Sequence, residues 1–572
     1  MKENSKNYLE ITDLKDMLNK TKALYKNNVA YKLRESEGKY KEINHEEVRN
    51  TVDYLGTALI NMGLKDKRIA IIGENRYEWE IAYLSIVCGT GIVVPLDKSL
   101  PENELELVIE RSEVEAIFFS KKYMQSLEKI KRLGVGKLKH LICMDLDIHE
   151  SGIYSQKELI QNGKKLLEEG DQSFVTSIIN PEEMSIMLFT SGTTSMSKIV
   201  ALSHKNICTN LMDLYKTLPI DSTDVFLSIL PIHHVFECTV GFLSALYSGA
   251  QTVFCDGIRH IPENLKEYKV SVMACVPGIY EGLFKIIRKG MDKSGKLEEI
   301  LGNEEKYKDS TMEERKIAFK DIHDMLGGNI KLFISGAASL DPKIENKYRL
   351  LGFNLVQGYG LTETSPVIGI GSNENYRLGS IGKALPSVEV KLIDVNKDGV
   401  GELVARGSSI MLEYYGNKKA TKEALQDGWF YTGDLAKVDE DGYIFICGRK
   451  KSVIVLKNGK NIFPEEMENL VNKIEGVKES LIFGKQTSDD KDDIKINVKI
   501  IFDRDIVKDA YKVETEEEIQ KVLHEKIKEL NKTMPKYKAI RGVLFSERPL
   551  IKTSTNKIKR QANIDEIEKS KN

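Results

Sequence analysis

Residues 188–198 read LFTSGTTSMSK and follow directly on an apolar run, SIMLFT, at residues 185–190. Six of the nine residues from Thr190 to Lys198 carry a hydroxyl group, and Gly192 lies among them. Hydroxyls and backbone N–H groups can surround phosphate oxygens, and Lys198 adds a positive charge. The segment is not a Walker A loop, because the pattern GxxxxGK[ST] is absent. Taken alone, a solvated Ser/Thr-rich loop is the alternative interpretation.

Short apolar runs alternate with helical stretches on both sides of this loop, from about residue 68 to residue 360. The other runs are RIAIIG (68–73), GIVVPL (91–96), AIFFS (116–120), HLICM (140–144), VFLSIL (225–230), VSVMACV (270–276) and KLFISG (331–336). Continuous apolar runs of this length are typical of strands that are covered on both faces. They predict an α/β fold whose large N-terminal part contains parallel-type sheets flanked by helices.

Beyond about residue 379, long apolar runs give way to short β-rich stretches separated by turns. Asp-Gly pairs at 398–399, 427–428 and 441–442 separate short β-rich stretches, which predicts a small antiparallel, β-barrel-like subdomain. The last portion has the pattern of a compact α+β domain. One helix is expected to begin at Pro464, and a second near Thr515, where Glu518 completes a capping box.

Composition limits the class of protein. The 572 residues are too many for one ordinary core, and 84 Lys and Arg against 86 Asp and Glu exclude a nucleic-acid binder of high net positive charge. Seven dispersed cysteines without a CxxC motif predict reduced thiols in a cytoplasmic protein.

The apolar stretch 238–255 is interrupted by polar residues and predicts a helix, turn and strand rather than a membrane span. Peripheral membrane contact stays open.

Four further segments carry groups suited to a nucleotide. In QGYGLTET (357–364), glycines permit close backbone approach, Tyr359 offers an aromatic face and Glu363 suits a hard cation. In GWFYTGD (428–434), Asp434 can accept hydrogen bonds from both hydroxyls of a ribose. The remaining two segments are GRKKSVIVLKNGKNIFPEE (448–466) and KTSTNKIKR (552–560).

The order and spacing of these five segments resemble the adenylate-forming superfamily of acyl-CoA synthetases, luciferases and adenylation domains. The resemblance covers about residues 20 to 565. It implies ATP and CoA as co-substrates with Mg²⁺, an ATP- and acyl-binding domain at 1–448, and a mobile C-terminal cap at 449–572. It places the hinge near Lys451.

The resemblance also assigns roles by position. The phosphate loop is expected to comprise Thr190, Ser191, Gly192, Thr193, Thr194 and Lys198. The adenine-binding residues are expected to be Gly336 and Ala337, within SGAAS (335–339), together with Gln357, Gly358 and Tyr359. The catalytic or ligand-binding residues implied elsewhere are Thr362 (phosphate), Glu363 (Mg²⁺), His234 (carboxylate site), Asp434 (ribose), Arg449, Gly459 (pantetheine path) and Lys557 (adenylation). For His234, a satisfied buried histidine is the equal alternative.

Three positions in the phosphate loop depart from the family pattern. Ser195, Ser197 and Ile199 stand where the family has Gly, Pro and Gly, and Asn556 stands for the Gly before Lys557. These changes affect backbone freedom, whereas the hydroxyl set and Lys198 are retained. We therefore expect catalysis to survive. The alternative of a different class is a degenerate, non-catalytic acyl or nucleotide sensor.

Several features resemble the long-chain fatty acyl-CoA synthetases in particular. They are the charged segment 290–328, predicted as a helical excursion that leads into GGNIKLFISGAASL, the Gly-rich run after YGLTETSP, and GRKKSVIVLKNGKNIFPEE. Separately, the small residues Gly241, Ala245 and Gly249 in the stretch 235–249 could leave room for an acyl tunnel. For those three residues, core packing is the alternative. The predicted reaction is ATP-dependent activation of a long-chain fatty acid to acyl-adenylate, followed by thioester formation with CoA. An acyl-AMP ligase, or a synthetase that loads an acyl carrier protein, is the nearby alternative.

Overall fold

A nine-stranded sheet forms one half of the large N-terminal part. The computed structural model describes residues 8–190, 197–292, 304–307, 309–456, 460–486, 494–552 and 558–569. The strands, in spatial order, are Lys383–Ala384, Val367–Ile370, Leu355–Gly360, Leu332–Ser335, Val272–Cys275, Val225–Ser228, Gln251–Phe254, Val29–Ser36 and Lys39–Asn44. The six strands from Leu355–Gly360 to Val29–Ser36 are parallel, and those outside them are antiparallel.

An eight-stranded sheet forms the other half. Its order is Glu413–Tyr414, Ile199–Ser203, Met184–Phe189, Gly91–Leu96, Lys67–Ile72, Ala116–Phe119, His140–Cys143 and Tyr154–Ser155. The strands from Met184–Phe189 onward are parallel, but Ile199–Ser203 pairs antiparallel with Met184–Phe189. The predicted phosphate loop is thus the connection of an antiparallel hairpin. The expected parallel character is confirmed for the centres of both sheets, whereas their edges are antiparallel.

Helices cover the sheets, and side-chain caps begin several of them. In the N-terminal part they are Leu14–Tyr25, His45–Asn61, Tyr77–Ser85, Glu102–Ser112, Met124–Arg132, Gln156–Glu168, His204–Thr217, Glu237–Leu243, Ser244–Ser248, Ile261–Glu267, Pro277–Asp292, Met312–Ala318, Lys320–Met325, Pro342–Leu350 and Lys418–Ala424. Asn44 with Glu47, and Ser203 with Asn206, form reciprocal caps that satisfy otherwise unpaired N–H groups. The described part of the charged excursion is helical, as predicted.

The expected antiparallel subdomain is a five-stranded sheet. Its strands are Val388–Ile393, Gly401–Gly407, Leu425–Gln426, Trp429–Val438 and Ile444–Arg449, and every pairing is antiparallel. Trp429–Val438 lies at its centre. After the strand Ile444–Arg449, the chain leaves this subdomain through the short helical turn Lys450–Ser452, which contains Lys451.

The C-terminal portion is an α+β unit with its own apolar core. Its elements are the hairpin Ile454–Val455 and Asn461–Ile462, the strands Val477–Gln486, Ile494–Phe502 and Gly542–Ser546, and the helices Pro464–Val471, Arg504–Tyr511, Glu516–Thr533 and Arg560–Lys569. The capping box of Thr515 and Glu518 is present as predicted. An ion pair of 2.9 Å joins this unit, through Lys473, to Asp341 of the N-terminal part. The boundary at 448/449 and a hinge near Lys451 stay predictions.

Two global expectations can be compared with the described residues. All seven cysteines are free, five of them buried and two half-buried. Among the described residues, no helix is long and apolar enough to cross a membrane. The stretch 238–255 is helical up to Ser248, turns at Gly249 and continues as the strand Gln251–Phe254, as the sequence predicts.

Candidate active site

The ends of the predicted phosphate loop are joined at the mouth of its hairpin. The backbone N–H of Thr190 donates to the carbonyl of Lys198 at 2.9 Å. Lys198 lies immediately before the strand Ile199–Ser203, and its ammonium nitrogen is 4.0 Å from the ring centroid of Tyr414. Four predicted loop residues, Ser191, Gly192, Thr193 and Thr194, lie outside the described residues, as do Gly459 and Lys557.

Tyr414 contacts Glu363 as well as Lys198. The hydroxyl of Tyr414 donates to Glu363 Oε1 at 2.7 Å, and the carbonyl of Glu363 accepts from the backbone of Met411 at 2.8 Å. Burial, and then the nearby Glu363 carboxylate, raise the pKa of Tyr414, so the hydroxyl keeps its proton. Glu363 and Thr362 lie half-buried in the short helical turn that follows Leu355–Gly360. Carboxylate, phenol and ammonium therefore converge at the base of the phosphate loop.

A second cluster joins the strand end at Tyr359 to the antiparallel subdomain. The Tyr359 hydroxyl donates to Asp434 Oδ2 at 2.6 Å, and Arg449 Nε lies 3.1 Å from Asp434 Oδ1. Asp434 and Arg449 are direct cross-strand neighbours, which explains why their side chains meet. Burial, and then the charge of Asp434, raise the pKa of Tyr359 well above its usual value. Three residues predicted from separate motifs are thus brought together.

Gln357 is directed inward. Its carbonyl oxygen accepts from the backbone of Leu340 at 3.2 Å, and its amide donates to Glu345 Oε2 at 2.8 Å. Glu345 is buried and also accepts from the backbone of Gly379 at 3.0 Å. Since the Gln357 side chain is committed to these contacts, it supports the loop ending at Leu340.

The segment with Gly336 and Ala337 follows the strand Leu332–Ser335. Gly336 is buried, and a Cβ atom there would come within 2.8 Å of the ring of Phe236. Ala337 is exposed and has a positive φ of 65°, a backbone conformation that is uncommon for a residue other than glycine. The segment therefore lies next to the loop that carries His233 and His234.

His234 is half-buried, and its Nδ1 accepts from the backbone of Phe236 at 3.3 Å. His233 Nε2 lies 3.7 Å from Asp97 Oδ2. The predicted place of His234 near the carboxylate rests on Phe236, whose ring packs against Gly336.

Protein atoms fill the space beside the small residues of the stretch 235–249. A Cβ atom at Gly241 would approach Glu237 Oε1 to 2.8 Å, and one at Gly249 would approach the Tyr25 ring to 2.3 Å. Ala245 is fully buried in the apolar core. These contacts favour the core-packing alternative for all three residues.

Tyr414 is the site residue that sequence reasoning missed. Its strand Glu413–Tyr414 pairs with Ile199–Ser203, so that Tyr414 lies opposite Val200 and next to Lys198. The surrounding sequence, MLEYYGN, carries no motif that distinguishes Tyr414 from Tyr415. Only the long-range pairing of the two strands reveals the contact.

The sequence matches the AMP-binding enzyme family over residues 18–415 and the AMP-binding enzyme C-terminal domain over residues 451–570. The chain belongs to the AMP-binding enzyme family. Within it, the chain resembles the long-chain acyl-CoA synthetases. It is 29% identical to long chain acyl-CoA synthetase 3 of Arabidopsis thaliana, over 78% of this chain and 72% of the relative. It is 30% identical to fatty acyl-CoA synthetase B of Dictyostelium discoideum, over 78% and 70%.

Solved structures share the fold of this AMP-binding enzyme along nearly its whole length. An anthranilate CoA ligase in complex with anthranoyl-AMP superposes with a TM-score of 0.75 at 20% identity, covering 97% of each chain. ATP-bound MatB from Rhodopseudomonas palustris gives 0.74 at 21% identity, covering 97% of this chain and 99% of the other. The predicted α/β architecture, a large N-terminal domain of mixed sheets with a C-terminal domain, is thereby confirmed.

Proposed function

We propose that this AMP-binding enzyme is a long-chain fatty acid–CoA ligase that forms AMP. The observation that carries the proposal is the convergence of Tyr359, Asp434 and Arg449 in one cluster, with Glu363 and Lys198 held by Tyr414 in the other. The first cluster suits a nucleoside and the second suits its phosphates. The long-chain acyl-CoA synthetases among the relatives support the acyl substrate.

In the first half-reaction, the fatty acid carboxylate attacks the α-phosphorus of ATP, and pyrophosphate leaves with the electrons of the broken P–O bond. Both reactants are anionic, so Lys198, the proposed loop hydroxyls and Lys557 offset their repulsion and the charge that develops on phosphorus. Asp434 accepts hydrogen bonds from the ribose, and Arg449 neutralises Asp434. Thr362 donates a hydrogen bond to phosphate.

Glu363 fits a divalent cation of the Mg²⁺ type. It offers hard carboxylate oxygens, one of which accepts from Tyr414, the residue whose ring also contacts Lys198. In the described part of the chain, no group of three or more His, Cys, Asp or Glu residues is suited to a metal. A site with one protein carboxylate, completed by substrate phosphates, is common for Mg²⁺. When bound, the ion supplies positive charge to the triphosphate.

In the second half-reaction, the CoA thiolate attacks the acyl carbon, and AMP leaves. Gly459 is proposed to lie along the pantetheine path. A rotation of the C-terminal domain about Lys451 would present Lys557 for the first step and the face carrying Gly459 for the second. We also propose that the enzyme is cytoplasmic and contacts the membrane surface peripherally.

The test uses purified protein with palmitate, ATP, MgCl₂ and CoA. We expect equimolar AMP, pyrophosphate and palmitoyl-CoA, and a substrate panel should favour long chains over acetate and aromatic acids. Trapping of acyl hydroxamate without consumption of CoA would replace the proposal with an acyl-AMP ligase. Adding an acyl carrier protein to that assay tests the remaining acceptor. Absence of ATP–pyrophosphate exchange across the panel would support the non-catalytic sensor.

A further inference from the structure

The loop 229–236 contains His233 and His234, and the side chain of Asn75 holds it through hydrogen bonds. Asn75 follows the strand Lys67–Ile72 of the eight-stranded sheet, whereas the loop follows Val225–Ser228 of the nine-stranded sheet. The Asn75 amide donates to Ser228 Oγ at 2.9 Å and to the carbonyl of Leu230 at 2.7 Å. Its oxygen accepts from the backbone of Ile232 at 3.2 Å. One side chain thus ties the first half of the loop to the other sheet.

Glu237 closes the far end of the same loop. The hydroxyl of Ser228, already engaged by Asn75, donates to Glu237 Oε1 at 2.7 Å. The backbone N–H groups of Ile229 and Leu230 also face the Glu237 carboxyl. Glu237 is the first residue of the helix Glu237–Leu243, and its carboxyl folds back over Gly241. The residues before and after the loop are therefore joined through one carboxyl group.

The other oxygen of Glu237 lies in a buried polar cluster. Among the described residues, Glu237 Oε2 has no hydrogen-bond partner, and Glu80, which faces Glu237, has the hydroxyl of Tyr31 beside its carboxyl group. All three residues are at most 1% exposed. Glu80 lies on the helix Tyr77–Ser85, which packs on Glu237–Leu243 through the edge-to-face pair Tyr83 and Phe242. Two acids are thus buried near each other without a described cation.

We propose that Glu237 is a positioning residue that, through Ser228 and Asn75, fixes the loop 229–236 to receive the carboxylate of the fatty acid. This inference rests on the proposed ligase function. The loop bears His234, and the Phe236 ring that packs on Gly336 joins it to the nucleotide segment. A loosened loop therefore misplaces the acyl carboxylate relative to ATP.

The protonation state of Glu237 follows from its surroundings. Burial raises its pKa to about 8, and burial likewise raises the pKa of Glu80, which also faces Glu237. The other described titratable groups that face Glu237 are cysteines: Cys238 on its own helix, Cys255 beyond the strand Gln251–Phe254, and Cys275 on Val272–Cys275. Glu237 is therefore neutral at pH 7 and ionises as the pH rises through about 8.

Glutamine and methionine at position 237 separate the hydrogen bond from the volume of the side chain. Glu237→Gln keeps an acceptor for Ser228 and imitates the neutral acid, whereas Glu237→Met has similar size and no comparable acceptor. We expect E237M to raise the KM for palmitate about 10-fold or more, with the KM for ATP nearly unchanged. E237Q should keep the palmitate KM of the wild type. If ionisation of Glu237 loosens the loop, the palmitate KM of the wild type should rise above pH 8, and that of E237Q should not.

A second variant guards against a folding defect. Ser228→Ala removes the donor to Glu237, and Ser271→Ala is its matched control, since Ser271 donates to Asp224 at 2.7 Å beyond the opposite end of the strand Val225–Ser228. S228A should raise the palmitate KM, and S271A should not. Equal effects of S228A and S271A, or an unaltered palmitate KM in both E237M and S228A, would overturn the positioning role.

Hydrogen exchange tests the loop without any substrate. Amides of 229–236 should exchange about 10-fold or more faster in E237M and S228A than in E237Q and S271A. If the wild type activates no fatty acid while this exchange pattern holds, the ligase proposal fails and the structural clamp stands. If palmitate is activated while exchange of the loop is identical in all variants, the positioning proposal fails and the ligase stands.

Discussion

Tyr414 illustrates how a site can depend on a contact that no local sequence pattern reveals. The motif containing Glu363 is readily recognised in sequence, yet the hydroxyl that orients its carboxylate comes from a strand paired with the far side of the phosphate loop. Gln357 shows the converse, because it lies within a motif but its side chain serves Leu340 and Glu345. Residue type and spacing predicted which segments matter, and strand pairing decided which atoms meet.

Replacing Tyr414 by Phe tests the orientation of Glu363. A hydrogen bond to a charged group contributes about 1.5–3 kcal/mol, so Y414F should lower kcat/KM for ATP about 10- to 100-fold. The matched control is Tyr415→Phe, since the neighbouring Tyr415 hydroxyl accepts from Arg68 at 2.6 Å instead. Steady-state kinetics with varied ATP and MgCl₂ provide the measurement. Equal losses in Y414F and Y415F would contradict a role for the Tyr414 hydroxyl.

Glu345 predicts a pH dependence of stability. Burial raises its pKa from 4.5 to about 7, so the folded protein holds a proton that the unfolded chain releases. The free energy of unfolding should therefore fall as the pH rises from about 4.5 to about 7, with up to about 3 kcal/mol from this group. Glu345→Gln should be more stable relative to wild type at pH 8 than at pH 5.

Urea unfolding of both proteins at the two pH values measures this difference. Glu440→Gln, at an exposed position, is the control and should show the same offset at both pH values. A constant difference between E345Q and wild type would show that Glu345 is already ionised in the folded protein.

Individual strands were predicted well because burial on both faces leaves a clear sequence pattern. The runs at 91–96 and 116–120 coincide with Gly91–Leu96 and Ala116–Phe119. Strand direction at the sheet edges could not be predicted, since an apolar run such as that before the phosphate loop reads alike in parallel and antiparallel pairs. The hairpin Met184–Phe189 and Ile199–Ser203 is the result that only structure supplied.

The hairpin formed by Leu355–Gly360 and Val367–Ile370 predicts unequal effects for two glycines of one motif. A Cβ atom at Gly360 would lie 1.7 Å from the carbonyl oxygen of Pro366, whereas one at Gly358 would meet only the Ile370 side chain at 3.3 Å. Gly360→Ala should lower the melting temperature by about 4 °C or more, because backbone must move. Gly358→Ala should have a smaller effect, since a side chain can adjust. A calorimetric scan in which G358A is the less stable variant would contradict this ranking.

The whole chain combines two units whose relative orientation matters to the proposed reaction. Composition predicted more than one unit, and a change from long apolar runs to Asp-Gly turns marked where the small sheet begins. The roles of Lys557 and Gly459 could be inferred only from family resemblance, because neither residue stands out among the 84 basic residues or 42 glycines.

The two half-reactions should respond differently to loss of Lys557. Lys557→Ala should reduce ATP–pyrophosphate exchange about 100-fold or more, because charge stabilisation of the adenylation transition state is lost. Thioester formation from supplied palmitoyl-AMP should change far less. Lys559→Ala, two residues away, is the matched control for both assays. Equal loss in both steps for K557A would contradict the proposed domain rotation.

The Lys473–Asp341 ion pair links the C-terminal unit to the N-terminal part, so the proposed rotation would change the charge near Asp341. Asp341 also caps the helix Pro342–Leu350, one residue beyond the loop that Gln357 supports. A rotation that withdrew Lys473 would leave the Asp341 carboxylate without that cation at the edge of the proposed nucleotide segment. If the proposed rotation also opens the site, its rim would become more negative, which would repel departing pyrophosphate or AMP and favour product release over rebinding.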